Sequence, residues 1–186
     1  MATAVAAPQK LITAEEYVQL AEDGQRRELR RGVVVVMNLP GFRHGEVCGN
    51  VYYWISNFVR QNQLGRVLSN DSGLITERDP DTVRGADVSY YSYQRVKKGD
   101  SPVGYAGALP EIVFEVVSPS NTRTDIAIKT GEYLRAGVNA VCVVDPQYKT
   151  VNLHYPDRPD EKLQDDELLT FAELPGFRLP VARFFE

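Results

Sequence analysis

Residues 110–146 read PEIVFEVVSPSNTRTDIAIKTGEYLRAGVNAVCVVDP, and the reading of this stretch decides the expected fold. Residues 111–117 form an apolar run rich in β-branched side chains, which predicts a strand. Residues 124–136 predict a helix, because Gly137 follows as a residue free to take the left-handed conformation that closes one. Thr122 or Thr124 lies nearest the N-cap of that helix. Residues 140–145 contain the unbroken apolar run VCVV, the pattern of a strand buried on both faces. Strand, helix and buried strand therefore follow one another here.

Working outward, residues 66–76 and 86–92 predict two more strands, the second entered through a turn at Val83-Arg84-Gly85. Residues 94–109 read as a loop. A long helix is expected over 44–61, where Val47, Val51, Trp54, Ile55 and Phe58 make one apolar stripe. Thr13 with Glu16 three residues later is a capping box opening a helix over 14–22, which Asp23-Gly24 ends. Residues 27–29 and 33–37 read as a hairpin through Arg30-Arg31-Gly32. Residues 150–155 and 168–171 are expected to pair as a closing hairpin, followed by a terminal segment over 179–185. The expectation is a disordered lead over 1–10 and one α+β domain over 11–186. Its core order is αβββαβ, preceded by the short helix and hairpin.

Composition narrows the function. The chain has 186 residues, 43% of them apolar, which is ordinary for a globular fold. No apolar run approaches the ~18 residues of a membrane helix, and the first ten residues lack the features of a secretory signal. Two cysteines, Cys48 and Cys142, cannot build a disulfide framework or a four-ligand zinc site, so a reduced, cytoplasmic protein is expected. The formal net charge is −4, which gives no global signal for nucleic acid. That charge is uneven. Residues 157–167, DRPDEKLQDDE, read as an acidic loop with six acids and two bases, so the remainder sums to zero. Arg26, Arg27, Arg30 and Arg31 surround Glu28 as a local basic patch.

Most catalytic templates are missing: there is no P-loop, G-x-S-x-G, H-E-x-x-H or C-x-x-C. With only His44 and His154, a multi-histidine metal site is hard to assemble. Carboxylates remain. Alternation puts Ile112, Phe114 and Val116 on one face of their strand and Val113, Glu115 and Val117 on the other. A carboxylate between two valines must be paired, protonated or bound to a metal. Asp87 opens the strand ADVSYYS. On the following helix Asp125, Lys129 and Tyr133 share a face at i, i+4 and i+8. Tyr90, Tyr91 and Tyr93 read as strand packing rather than a base-stacking platform. His44 is either a phosphate contact or proton carrier, or simply the residue that starts a helix.

The pattern GAD, then PEIVFEVVSPSNTRTD, then K-x-x-x-Y-x-x-x-GV, then VVDP resembles the Uma-two family of restriction endonucleases within the PD-(D/E)XK nuclease superfamily. Glu28-Leu29 with Gly32, the lone His44 and Leu174-Pro175-Gly176-Phe177 extend the resemblance over nearly the whole chain. It implies a restriction-endonuclease-like core with Asp87 as the metal-binding aspartate and Glu115 as its acidic partner. Two departures stand out: Ala86 replaces the proline of the motif, and Val117 stands where the usual lysine would be. Lys129 matches the position to which members of the family move that lysine, and Glu28 matches an additional acid.

The function implied is a Mg²⁺- (or Mn²⁺-) dependent endodeoxyribonuclease, the metal held by Asp87, Glu115 and the carbonyl of Val116. His44 is a further catalytic candidate, and Arg84, Arg123 and Arg27 are expected to contact DNA. A double-strand cut would need a homodimer. Two other readings are a non-catalytic DNA- or protein-binding module of the same fold, and a metal-free structural domain with Glu115 paired to an arginine in the core.

Overall fold

The computed structural model describes residues 10–20, 24–119 and 122–186. Of the expected lead over 1–10, residues 1–9 lie outside them, as do residues 21–23; the helix expected over 14–22 is shorter, ending at Val18 with Gln19 as its C-cap. The described chain begins with α1 (Ala14–Val18), whose Thr13 and Glu16 form the expected reciprocal cap. The hairpin β1 (Arg27–Arg30) and β2 (Val33–Val36) follows, and then the long helix α2 (Phe42–Gln61). Next come β3 (Gly65–Glu77), β4 (Thr82–Ser92), β5 (Ile112–Val116), α3 (Arg123–Ala136) and β6 (Ala140–Asp145). That run, α2 to β6, has the order αβββαβ.

One sheet carries these elements, in the order β2-β1-β4-β5-β6, with β3 on the other edge of β4. β5 and β6 pair in parallel, joined through α3, and Gly137 closes α3 at φ 112°. Thr122 caps the helix start, its side chain accepting from the Asp125 amide while the Asp125 carboxylate accepts from Thr122.

The alternation of β5 holds. Ile112, Phe114 and Val116 join Val47, Val51, Ile55 and Val59 of α2 in the larger core. Val113 joins Tyr133 of α3 in a second core. The two helices therefore cover opposite faces of the sheet.

β4 extends further than its sequence suggests, because Thr82–Gly85 is strand rather than turn. Along one edge β4 pairs with β1 only at Leu29↔Val83 and with β5 only from Val88↔Phe114 onward. Arg84 to Asp87 lie between these pairings, so the sheet forks at that point. On the opposite edge a register shift between Ser69 and Ser72 leaves Asn70 and Asp71 at φ 65° and 53°. Asp71 is thereby pressed against Gly85, where an added Cβ would sit 2.8 Å from the Asp71 Cβ. Glycine at 85 is what lets the bulge reach the fork.

The C-terminal expectation is corrected. β7 (Thr150–His154) pairs with β8 (Glu161–Gln164), inside the acidic stretch read as a loop. β9 (Leu168–Phe171) pairs instead with β10 (Leu174–Pro180). β8 ends the sheet order, an edge where charged side chains are exposed on both faces, and charge there also blunts edge-to-edge association. Leu169 and Phe171 point into the larger core, which selects β10 as their partner.

Candidate active site

The fork opens into a cleft of about 620 Å³ whose walls include Glu28, His44, Arg84, Asp87, Glu115 and Lys129. Five elements contribute them: β1, α2, β4, β5 and α3, with Arg84 and Asp87 both on β4. Asp87 stands one residue before the β4–β5 ladder begins, and Glu115 one residue beyond the Phe114 pair. The Val116 amide donates to Asp87 Oδ2 at 2.8 Å, so the aspartate itself bridges the mouth of the fork.

Glu115 is buried among hydrogen-bond donors. Lys129 Nζ donates to its Oε2 at 2.9 Å and to its Oε1 at 3.1 Å, while the Tyr133 hydroxyl donates to Oε1 at 2.7 Å. Burial raises the carboxyl, Lys129 and Tyr133 lower it and the charge of Asp87 raises it, which together leave it pushed up to about 7. Burial also opposes the charge on Lys129, but Glu115 and Glu28 more than offset that and hold the ammonium above its ordinary value. The lysine is thus a fixed cation.

Glu28 shares that lysine with the opposite outcome. Its Oε1 lies 3.3 Å from Lys129 Nζ, and its Oε2 accepts from Arg84 at 2.7 Å and from Arg30 at 2.9 Å. Burial would raise its carboxyl, yet the charges of Lys129 and Arg84 outweigh burial and lower it to about 2. Arg84 is held from its other side by Glu132, which accepts from Nε at 2.5 Å and from Nη2 at 2.8 Å. Arg84, expected from the sequence to contact DNA, lines the cleft with a buried guanidinium engaged by both glutamates, and it braces Glu28 against α3.

Asp87 is met by α2. His44 Nε2 lies 3.4 Å from Asp87 Oδ2, and Cys48, one helical turn on, brings its Sγ to 3.5 Å from His44 Nδ1. Burial opposes charge on His44, and the Asp87 carboxylate overcomes it, holding the imidazole above its usual range. Cys48 is driven the other way in function, since burial and the charges of Asp87 and Asp71 keep its thiol protonated. Arg26 reaches across to pair with Asp71.

Of the other expected residues, Arg27 lies at the cleft wall and also lines an adjoining pocket of about 700 Å³. Val116 lines the cleft as well. Arg123 opens α3 and lines a separate depression with Arg135, outside the cleft. Tyr90 and Tyr91 are buried in the two different cores, as packing requires. Sequence reasoning missed Glu132, Asp71 and Cys48. Glu132 stands at i+3 from Lys129 and Cys48 at i+4 from His44, spacings that bring side chains together on a helix. Nothing in the sequence signals that a bulge carries Asp71 to Gly85.

A forked mixed sheet between two helices, with acids at the fork and a lysine on the helix that follows, defines the restriction-endonuclease-like class of α+β folds. Residues 14–182 match the Uma2 family, described as "Putative restriction endonuclease", and the chain belongs to that family. Among solved structures it is similar to a protein from Anabaena variabilis ATCC 29413 described as "a putative nuclease belonging to DUF820". The two share 18% identity at a TM-score of 0.81, over 94% of this chain and 97% of the other. No curated protein matches the chain. No helix among the described residues is long and apolar enough to cross a membrane.

Proposed function

We propose that this chain is a divalent-metal-dependent endodeoxyribonuclease that hydrolyses phosphodiester bonds in DNA. One observation carries the reading: Asp87, Glu115 and Lys129 arise on three elements and converge on one cleft, with Lys129 Nζ 2.9 Å from Glu115. The description of the family and that of the Anabaena protein support the same chemistry.

Asp87, Glu115 and the carbonyl of Val116 are the groups that would hold Mg²⁺ or Mn²⁺, since all three offer the oxygen donors such ions take. The Glu115 carboxyl is pushed up to about 7 by burial and Asp87, so the pair gains from a dication that cancels its charge. When bound, the ion polarises the scissile phosphate and lowers the pKa of a water.

The chain's own groups do the rest. Lys129 stays an ammonium, so it donates hydrogen bonds to the attacking water or the phosphate oxygens rather than accepting a proton. Glu28, ionised across the working pH range, holds Lys129 from the side opposite Glu115. His44, hydrogen-bonded to Asp87, is a proton carrier beside the reacting phosphate. Arg27 and Arg123 contact the DNA backbone on the approach to the cleft, and a homodimer supplies the second active site that a double-strand cut requires.

Cleavage of supercoiled plasmid with Mg²⁺ tests the reading. Asp87→Asn and Lys129→Ala should each lower the rate by at least ~1,000-fold, the several kcal/mol of transition-state stabilisation that such groups supply. Wild-type rates in either folded variant would remove the assignment. Calorimetric titration that finds no Mg²⁺ or Mn²⁺ binding, with or without DNA, would favour the non-catalytic module instead.

A further inference from the structure

The arrangement above uses oxygen donors alone, yet two softer donors face the same aspartate. His44 and Cys48 lie at i and i+4 on α2, sharing one face. His44 Nε2 is 3.4 Å from Asp87 Oδ2 and 3.9 Å from Cys48 Sγ, and one ligand atom from each of the three residues falls within 4.8 Å of the others. A tetrahedral zinc ion binds nitrogen and oxygen at about 2.0–2.2 Å and sulfur at about 2.3 Å, which makes the edges of its tetrahedron about 3.4 Å between nitrogen and oxygen and about 3.6 Å between nitrogen and sulfur. The spacings in the protein match the first edge and exceed the second by about 0.3 Å. Three side chains of this kind leave a fourth position open, and imidazole with thiolate favours zinc over magnesium. Asp71 and Glu115 add negative charge around the three ligands, offset by Arg26.

We propose that His44, Cys48 and Asp87 form a second cation site, selective for zinc and similar borderline ions, and that it shares Asp87 with the oxygen-donor arrangement so that the two are occupied in competition. On binding, the Cys48 S–H bond breaks, its proton leaves to solvent, and the sulfur lone pair forms the bond to the metal. His44 binds as the neutral imidazole through Nε2, releasing any second proton to solvent. Binding of zinc does not depend on the nuclease reading; only its consequence, zinc inhibition of Mg²⁺-supported cleavage, rests on that reading.

Cobalt(II) is the optical probe, titrated into the full chain. The expected result is a sulfur-to-cobalt charge-transfer band with tetrahedral visible bands, all removed by added zinc. Cys48→Ser should abolish the charge-transfer band and Cys142→Ser should keep it, since Cys142 is buried in the larger core. His44→Ala and Asp87→Asn should each weaken zinc binding by at least ~100-fold, the upper end of what even outer-shell changes cost. X-ray absorption on the zinc-loaded wild type, which needs no variant to fold, should find one sulfur at about 2.3 Å among nitrogen and oxygen ligands. No band in the wild type, a band that survives in Cys48→Ser, zinc affinity unchanged by both other variants, or a shell without sulfur would each overturn the proposal. None of these measurements uses DNA, so failure of the nuclease reading leaves their outcomes legible.

Discussion

The two faces of β5 divide the work of the protein between them. On one, Ile112, Phe114 and Val116 meet α2 and the C-terminal strands, and Phe114 packs edge-on against Phe171 at 5.7 Å between ring centroids. On the other, Val113 is buried in the second core while Glu115, two residues along, ends among Lys129, Tyr133 and Asp87. The strand is buried at every position, so the contrast is one of chemistry rather than exposure. The first face gains from transferring hydrocarbon out of water. The second keeps a carboxylate where its ionised form is disfavoured, a local cost that proteins tolerate at sites of function.

The sharpest way to break this contrast is to cut into the apolar face. Phe114→Ala should destabilise the chain by ~3–5 kcal/mol in a denaturant titration, from lost transfer energy and the cavity left behind. Its folded fraction should bind Mg²⁺ as the wild type does; a specific loss of metal binding would show that the faces are coupled.

Lys129→Met comes next. It leaves Glu28 and Glu115 buried without their shared cation and should cost ~3 kcal/mol at neutral pH, the loss expected when one member of a buried ion pair is removed. Because protonating Glu115 relieves that burial, the deficit should shrink as pH falls toward 5. A deficit independent of pH would mean that Glu115 is not the group left unpaired.

The smallest effect tests the sign of the Glu115 shift. Its carboxyl is raised from 4.5 to about 7, mainly by burial. Between those values the folded chain binds a proton that the unfolded chain has released, so stability should fall as pH rises, by at most about 1.4 kcal/mol per pH unit. Glu115→Gln lacks that slope, and should equal the wild type near pH 5 and exceed it above pH 7. If Glu115→Gln is the less stable protein at pH 8, ionised Glu115 stabilises the fold and the contrast between the faces fails.

Charge placement follows the same division. The acidic stretch at 157–167 includes β8, which ends the sheet order, whereas the cleft lies at β1, β4 and β5. The net charge of −4 therefore stands several strands away from the proposed path of DNA, and long-range repulsion between them is screened over a Debye length of ~8 Å at physiological salt.

Much of the core was legible in the residues themselves. Period-2 alternation placed Glu115 opposite Phe114, and the stripe on α2 identified the face that packs, because hydrophobic period is a local property of the chain. The resemblance supplied Lys129, which no spacing rule links to Asp87. The C-terminal pairing was misread because β8 is mostly polar, with Leu163 its one apolar residue, and a sheet edge accepts such a strand with little apolar signal. The partners of Arg84 were not legible for a related reason: an arginine in sequence looks like surface charge, and only the folded chain shows Glu28 and Glu132 closing around it.

The sequence by itself determined the faces of β5 and α2, the cap that opens α1 and the glycine that closes α3, and that Glu115 had to be paired, protonated or bound to a metal. Those outcomes depend on neighbours a few positions away. Only the tertiary structure decided that β4 leaves β5 at Asp87, that a bulge brings Asp71 to Gly85, and that one lysine stands between two glutamates of opposite shift. Such contacts join residues far apart in the chain, and their energies depend on burial and on the dielectric around charges, which exist only once the sheet and its two helices have closed together.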